Sequence, residues 1–278
     1  MYWHITADVD EFLAAAGDSL RSRPVENTVL LTVTDTLRRR GLTAYGADPP
    51  VFGWWSGAGG GAFVRTPPRG AMLSAMSPAA AEALAHALCE TSLPGVTGPD
   101  VVAEAFAAEW HGMSGATTRV SGRRRLFRLA TLVPPVPAPP GKARTAAEDD
   151  REVLLDWMAT FQRDIGEDPI GGAEFIDDKL SHGGLILWEV DGVPVSMAGG
   201  TRMESGMVRV QAVYTPREHR AKGYAGAATV AVSQAALDAG AAHVVLYTDV
   251  ANPTSNALYQ RLGYRPVEDS TTVEFPYA

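Results

Sequence analysis

The chain has 278 residues, of which 46% are hydrophobic and 20% charged, and its formal net charge is −8. This length exceeds one typical domain and the apolar content suffices for sizeable cores, so we expect two domains. The acidic balance argues against a nonspecific nucleic-acid surface, because binding to phosphates needs clustered cations.

Cysteine usage and hydropathy restrict the compartment. The single cysteine, Cys89, excludes an internal disulfide and a thiolate metal cluster, which fits a reducing cytoplasm. No apolar run approaches membrane-spanning length, and the first residues lack the basic-then-apolar order of a secretory signal. The histidines show no metal-ligand spacing. We therefore expect a cytoplasmic protein without a membrane partner, a nucleic-acid partner or a metal.

The first 132 residues alternate between helical and strand-like patterns. Apolar residues at helical spacing or in short runs indicate each element. In chain order, the predicted elements are helices over 9–20 and 29–38, strands over 51–55, 62–65 and 71–73, helices over 78–88 and 100–110, and a strand near 126–129.

A proline-rich segment separates this part from the rest. Residues 133–142 contain five prolines, which forbid a helix and favour a stiff, extended connector. We therefore predict one domain over 1–132, a linker over 133–142 and a second domain over 143–278.

The second domain is predicted in more detail. An Asp191-Gly192 pair between two apolar runs indicates a hairpin turn. In chain order, the predicted elements are an edge strand at 144–147, helices over 149–165 and 174–180, strands over 185–190, 193–198 and 207–214, a helix over 225–239, a strand over 244–249, a helix over 255–262 and a strand over 272–275.

The join between the strand at 207–214 and the following helix has the composition of a phosphate-binding loop. The start of a helix carries unpaired N–H groups and partial positive charge. Small residues at Gly223, Ala225 and Gly226 would let an anion approach that backbone, and Arg220 and Lys222 add full charges. The segment is therefore interpreted as a phosphate cradle.

The order of motifs around this loop resembles the GNAT-type N-acetyltransferase superfamily. Its acyl-CoA loop, Arg/Gln-x-x-Gly-x-Gly/Ala, matches Arg220, Gly223 and Ala225. The chain departs from the family's shortest spacing by two extra residues between Val213 and Arg220. The resemblance extends from about residue 143 to the end, and the family's later signature, Asn-x-x-Ser-x-x-x-Tyr-x-x-x-Gly-Phe/Tyr, matches Asn252, Ser255, Tyr259, Gly263 and Tyr264.

The resemblance implies an α/β fold of two tandem GNAT-like domains. Each would hold a mixed, mostly antiparallel sheet flanked by helices. The join between residues 71–74 and the helix at Pro78 has no acyl-CoA loop, and residues 99–111 lack the Asn…Tyr pair. The N-terminal domain is therefore expected to be degenerate and catalytically silent.

The resemblance also implies the residues that bind acetyl-CoA as co-substrate. A backbone N–H near Val213 would polarise the thioester carbonyl. The implied contacts are Val213, Tyr214 and Thr215 for the pantetheine arm, Arg220, Ala221, Lys222, Gly223, Tyr224, Ala225 and Gly226 for the pyrophosphate, Asn252 for the pantetheine and Ser255 near the phosphates.

Tyr259 is the catalytic candidate, because in the family the matching hydroxyl reaches the sulfur and can protonate the departing thiolate. The alternative is a tyrosine that only packs the helix on the sheet. The general base is left open, since the strand at 207–212 carries no carboxylate and Gln211 can only orient a water or the amine. The remaining candidates are Glu174, Asp177, Asp178, Glu189 and Glu204, or a substrate that arrives neutral.

These features predict an N-acetyltransferase that moves an acetyl group from acetyl-CoA to a primary amine of a small molecule or peptide terminus, directly within a ternary complex. Two alternatives stay open: a different acyl-CoA donor, and a non-catalytic acyl-CoA-binding sensor or scaffold. The protein would be a monomer or a homodimer.

Overall fold

A computed structural model describes residues 1–166 and 171–276. The predicted domain 143–278 therefore extends beyond the described residues. The first elements are β1 (Trp3–Thr6), α1 (Val9–Ser22), α2 (Thr28–Arg40), β2 (Val51–Trp55), β3 (Ala62–Arg65), β4 (Ala71–Leu73), α3 (Pro78–Ala87), β5 (Gly95–Pro99), α4 (Asp100–Ser114) and β6 (Arg119–Leu129).

The remaining elements repeat the same order of strands and helices. They are β7 (Lys142–Thr145), α5 (Arg151–Asp164), α6 (Gly172–Leu180), β8 (Leu185–Val190), β9 (Val193–Gly200), β10 (Met207–Tyr214), α7 (Tyr224–Asp238), β11 (His243–Asp249), α8 (Pro253–Arg261) and β12 (Tyr264–Glu274). The predicted class, an α/β fold with a mixed sheet flanked by helices, is confirmed.

The chain packs into two compact units that are not continuous in sequence. The first unit contains Met1–Leu126, Thr248–Ala251 and the stretch from Val267, and the second contains Phe127–Tyr247 and Asn252–Pro266. These units are defined by packing and do not test the predicted domains, so the linker at residues 133–142 stays a prediction.

The first unit is a mixed sheet between two pairs of helices. Strands β1 to β4 pair antiparallel in order, β4 pairs parallel with β5, and β5 pairs antiparallel with the end of β12. Phe12, Leu31 and Phe52 belong to the core beneath α1 and α2, whereas Leu84 and Phe106 belong to the core beneath α3 and α4.

The second unit has the same plan. Strands β7 to β10 pair antiparallel in order, and β10 pairs parallel with β11. Leu154 and Trp157 of α5 lie in the core on one face, and Ala228 and Val232 of α7 lie in the core on the other. The α7 helix is rich in alanine, and these small residues let it approach the sheet closely.

Local sequence predicted some turns and missed some strands. The Asp191-Gly192 hairpin is confirmed: Val190 lies opposite Val193, and both turn residues have positive φ, as a type I′ turn requires. Strands β1 and β5 were not predicted as strands, and β6 and β12 begin earlier than the sequence indicates. The added part of β6 is rich in exposed polar and arginine residues, so it carries no apolar alternation.

Candidate acyl-CoA site

The parallel pairing of β10 with β11 ends before β10 does. Among the described residues, the ladder runs from Met207 opposite His243 to Val210 opposite Leu246, whereas β10 continues to Tyr214. The backbone N–H and C=O groups of β10 after Val210 are therefore available for other hydrogen bonds on the side that faced β11.

A β-bulge lies at this point of divergence. Gln211 pairs with Gly199 and Tyr214 pairs with Met197, so three steps along β10 match two along β9. Ala212 takes up the extra residue with φ of +47°, a left-handed conformation that is uncommon outside glycine.

The bulge reverses the faces to which the side chains point. Before it, Val208 and Val210 lie in the core with α7; after it, Ala212 and Tyr214 lie in the core with α5. A one-residue insertion has this effect because side chains alternate between faces with period two. The segment that was predicted to hold the pantetheine arm, Val213 to Thr215, follows directly.

The predicted residues Tyr214 and Thr215 are fixed from β9. The fully buried Ser196 hydroxyl donates to the Tyr214 carbonyl at 2.9 Å and lies 2.8 Å from the Thr215 hydroxyl. The Tyr214 ring packs against Trp157 and Phe161. Burial raises the pKa of the Tyr214 hydroxyl. Tyr214 thus contributes packing and its backbone rather than an acidic side chain.

The phosphate cradle predicted from Arg220 to Gly226 covers the loop before helix α7 and the first residues of that helix. Gly223 is the residue before the helix, with φ of +84°, and no side chain caps the helix start. Ala227 N–H donates to the Gly223 carbonyl at 3.1 Å, so the helical ladder begins there. The N–H groups of the first turn have no partner within the helix. Ala221 also has positive φ, at +61°, so two residues of the loop before α7 adopt the left-handed conformation.

The two basic side chains of the cradle bind the protein itself. Arg220 donates from Nε to the Thr215 carbonyl at 2.9 Å and from Nη2 to Asp164 Oδ2 at 2.6 Å. Lys222 Nζ donates to the Glu218 carbonyl at 3.1 Å. The anion-binding groups of the cradle are therefore backbone N–H groups, and the side chains of Arg220 and Lys222 lie beside them. Sequence reasoning missed Asp164, because nothing local in sequence connects it to a loop more than 50 residues away.

The predicted contacts on α8 lie at the start of that helix. Asn252 caps it: its Oδ1 accepts from Ser255 N–H at 3.0 Å, and its carbonyl accepts from Asn256 Nδ2 at 2.7 Å. Asn252 and Ser255 are thus brought together, with the Asn252 oxygen engaged in the cap.

The catalytic candidate Tyr259 is buried on α8, with 8% of its surface exposed. Its ring belongs to the core beneath α7 and α8, so part of its role is packing. Burial raises the pKa of its hydroxyl to about 12, and the phenol is therefore protonated at neutral pH. This is the protonation state that a general acid requires.

The carboxylates considered as bases are largely committed to other contacts. Glu189 accepts from Arg144 Nε at 2.5 Å, and Asp177 accepts from Arg151 Nε at 2.7 Å. The other three have these positions: Glu204 accepts from the Ser205 hydroxyl, Asp178 Oδ2 lies 3.9 Å from His182 Nε2, and Glu174 is in the first turn of α6.

Strand β10 itself carries the cationic residue Arg209 and no carboxylate. Hydrogen bonding orients the Gln211 amide with its oxygen toward Arg209 Nη2, 3.1 Å away. Gln211 is thus held in place beside a guanidinium.

Neither a cluster of metal-binding side chains nor a membrane-spanning helix is found in the part of the chain that the structure describes. Across residues 1–166 and 171–276, no group of three or more His, Cys, Asp or Glu residues is arranged to bind a metal ion. Within the same ranges, every helix is too short or too polar to cross a bilayer.

Comparison with known proteins agrees with this geometry. The model of the GNAT acetyltransferase family matches residues 150–264, the segment that contains the bulge, the cradle and Tyr259. A search of curated proteins returns no match.

Solved structures share the fold across nearly the whole chain. A GCN5-related N-acetyltransferase from Sphaerobacter thermophilus is 14% identical, with a TM-score of 0.63, and the match covers 99% of this chain and 96% of that one. A GNAT-family acetyltransferase from Colwellia psychrerythraea is 10% identical, with a TM-score of 0.62 and coverage of 99% and 100%. A Drosophila structural-genomics target is 12% identical, with a TM-score of 0.68 and coverage of 99% and 98%.

Identities this low show the fold alone, whereas the family match lies on the segment that carries the site. Members of that family take an acyl group from acyl-CoA. Residues 150–264 therefore form a GNAT acetyltransferase domain, and the match supports an acyltransferase enzyme.

Proposed function

We propose that this protein transfers an acetyl group from acetyl-CoA to a primary amine on a small molecule or peptide terminus, directly within a ternary complex. The observation that carries the proposal is the divergence of β10 from β11 after Val210, immediately before an uncapped helix start at Gly223. A gap between strands suits an extended pantetheine arm, and the helix start suits its pyrophosphate.

The donor is held mainly by backbone groups. The N–H groups from Ala221 to Gly226 bind the pyrophosphate, with the partial positive charge of α7 behind them. Gly223 has no side chain to obstruct this approach. Arg220 and Lys222 contribute charge from positions fixed by their own contacts with Thr215 and Glu218.

The bulge supports the chemical step. At Ala212 the backbone leaves the regular ladder, so an N–H of this segment can point at the thioester carbonyl rather than at a neighbouring strand. When the amine attacks, negative charge develops on that oxygen, and a fixed donor stabilises it. The side chains of Val213 to Thr215 flank the same backbone.

Collapse of the tetrahedral intermediate breaks the C–S bond and leaves a thiolate. Tyr259 gives its proton to this sulfur and regains one from solvent. The surplus proton of the attacking amine passes to water. Each half of the exchange is balanced, and a bound metal is not required for either.

The proton of the amine leaves without a dedicated carboxylate on β10. Arg209 and Gln211 occupy that strand, and Glu189 and Asp177 are held by arginines. We propose that the amine is deprotonated through water or binds in its neutral form. The rate should then rise with pH until the free amine predominates.

The N-terminal unit is proposed to be a diverged copy that binds no acyl-CoA. Its elements follow the same order as those of the second unit. However, the helix that matches α7, namely α3, is closed at its start: the Ser77 side chain accepts from Ala80 N–H at 3.2 Å, and Pro78 lacks an N–H. A phosphate would find no free cradle there.

One observation favours the alternative of a non-catalytic acyl-CoA sensor: β10 carries Arg209 and Gln211 rather than a carboxylate. The two functions are separated by incubating the purified protein with acetyl-CoA and a panel of primary amines, with thiol release as the readout. Thermal shift with CoA measures binding separately. Turnover that is lost in Tyr259→Phe supports the transferase. Binding without turnover on any amine supports the sensor, and no binding of acetyl-CoA contradicts both.

A further inference from the structure

The carboxylate of Asp164 connects helix α5 to the turn before the cradle. Asp164 is the last residue of α5. Its Oδ1 accepts from Arg217 Nη2 at 3.2 Å, and its Oδ2 accepts from Arg220 Nη2 at 2.6 Å. Arg217 and Arg220 lie at the two ends of a short turn, which is the first part of the loop 217–223. We call this arrangement the Asp164 clamp.

Arg220 is held at three points. Besides Asp164, it binds the Thr215 carbonyl through Nε, and its guanidinium carbon lies 5.9 Å from the centroid of the Tyr214 ring. Arg220 therefore ties three things together: the end of α5, the end of β10 and the start of the loop. Charge-assisted hydrogen bonds of this length are stronger than neutral ones and restrict the side chains that make them.

Charge explains why a carboxylate is needed at this position. Without Asp164, two guanidinium groups would face each other beside Lys222 and would repel one another. The hydrogen bonds from Arg220 and then Arg217 lower the pKa of the Asp164 carboxyl, so it is ionised at neutral pH. The side chain of Asp164 is 23% exposed, against 78% for Arg217, so the carboxylate is the sheltered partner of the set.

We propose that Asp164 is a positioning residue for acyl-CoA, which fixes the loop 217–223 in the conformation that presents its N–H groups to the pyrophosphate. The inference rests on the proposed donor site and adds a residue to it. Asp164 itself touches no substrate. Its effect is to order the loop before binding, so less conformational entropy is lost when the ligand arrives.

The same contacts also allow Asp164 to weaken CoA binding instead of strengthening it. The change in CoA affinity when Asp164 is removed has opposite signs in the two cases. If Asp164 mainly competed with the phosphates for Arg220, its removal would release that guanidinium and strengthen CoA binding. If it positions the loop, its removal weakens CoA binding. The isosteric change Asp164→Asn distinguishes them, because it removes the charge and keeps the shape.

The experiment compares the wild type with Asp164→Asn and Arg217→Gln, each checked for folding by circular dichroism and thermal unfolding. Asp156→Asn, an exposed carboxylate on the same helix, is the matched control. Binding of CoA is measured by calorimetry, and amide hydrogen exchange of residues 217–223 is measured in the ligand-free protein.

We expect Asp164→Asn to raise the Kd for CoA by about fivefold or more and to raise KM for acetyl-CoA with kcat unchanged. Arg217→Gln should give a smaller rise and Asp156→Asn none. Exchange at 217–223 should quicken in Asp164→Asn. Equal or tighter CoA binding by Asp164→Asn would overturn the inference, as would unchanged exchange. If the wild type binds no CoA, the proposed donor site fails, whereas hydrogen exchange still tests the clamp.

Discussion

The ring of Tyr259 meets the ring of Tyr264 edge-on, with centroids 6.1 Å apart, in the core beneath α7 and α8. The Tyr264 hydroxyl lies 2.6 Å from the Ser233 hydroxyl on α7 and is thereby engaged in the structure. The two phenols thus differ in role: Tyr264 is tied to its neighbour, and Tyr259 is the one proposed to act on the thiolate.

Replacing Tyr259 by phenylalanine should separate chemistry from binding. The ring and its packing are kept and only the hydroxyl is lost, so we expect kcat to fall about 100-fold or more, with little change in the Kd for CoA. Tyr264→Phe is the matched control, since it should cost about 1 kcal/mol of stability and leave kcat unchanged. Steady-state kinetics and urea unfolding measure the two effects. Equal losses of kcat in both variants would contradict the assigned acid.

Alkali should destabilise the protein through the same pair. Burial raises the pKa of Tyr259 to about 12 and raises that of Tyr264 as well, whereas the unfolded chain holds tyrosines with an ordinary pKa near 10. Because the folded pKa values are the higher ones, their contribution is complete below pH 10 and is lost as the pH rises toward 12. The urea midpoint should fall over this window, and Tyr259→Phe should make the fall shallower. A pH-independent midpoint from 10 to 12 would argue against a buried phenol.

The contiguous parts of the site could be predicted from sequence, because their chemistry is local. A glycine-bearing loop that leads into a helix follows from the residues themselves, as with Gly223 before α7. Asn252 was expected only as a pantetheine contact, and its role as the cap of α8 comes from the structure. The bulge could not be predicted in this way. Ala212 adopts positive φ through pairing with β9, which is a tertiary constraint, and alanine carries no signal for it.

Long-range contacts set the same limit for the fold. The arginine-rich start of β6 has no alternation of apolar and polar residues, so the sequence pattern did not predict this part of the strand. The Asp164 clamp joins residues more than 50 positions apart through side chains that would each pass for surface charge. The sequence indicated which segment resembles the acyltransferase family, and packing decides how that segment is held.

Substitutions at the bulge should test whether Ala212 is held in its left-handed conformation. Ala212→Val places a β-branched side chain at φ of +47°, and we expect a loss of about 2 kcal/mol in unfolding free energy. Ala212→Gly tolerates that φ but loses a buried methyl group, so its net effect should be within about 1 kcal/mol. Urea unfolding gives both values. If valine is tolerated as well as glycine, the backbone at this point is regular.

Gly223→Ala should weaken the cradle through backbone conformation rather than collision. A Cβ at this position would lie 3.6 Å from Pro139 Cβ, an ordinary contact, but φ of +84° is unfavourable for alanine by about 1–2 kcal/mol. We expect lower thermal stability and weaker CoA binding. Gly112→Ala is the matched control: it lies within α4 with open space around it and should stabilise the protein by about 0.5–1 kcal/mol. Similar effects from both changes would show that Gly223 is not conformationally required.

The last prediction concerns acid. Arg144 binds Asp150 with Nη1 and Nη2, at 2.6 and 2.7 Å, and also binds Glu189. The hydrogen bonds from Arg144 lower the pKa of the Asp150 carboxyl, so its contribution to stability is complete above its unfolded pKa and is lost as the pH falls through the folded one. We expect Asp150→Asn to cost about 2 kcal/mol at pH 7, because it leaves Arg144 only partly paired in a sheltered site.

That cost should shrink below about pH 4, because Asp150 of the unfolded wild-type chain binds a proton there while the folded carboxylate, whose pKa is lower, stays ionised. Urea unfolding of both proteins from pH 3 to pH 7 measures the difference in stability at each pH. Asp149→Asn changes the exposed neighbouring carboxylate and should track the wild type throughout. A difference between Asp150→Asn and the wild type that stayed constant down to pH 3 would mean that the Asp150 charge does not stabilise the fold, and the loss at pH 7 would then reflect packing alone.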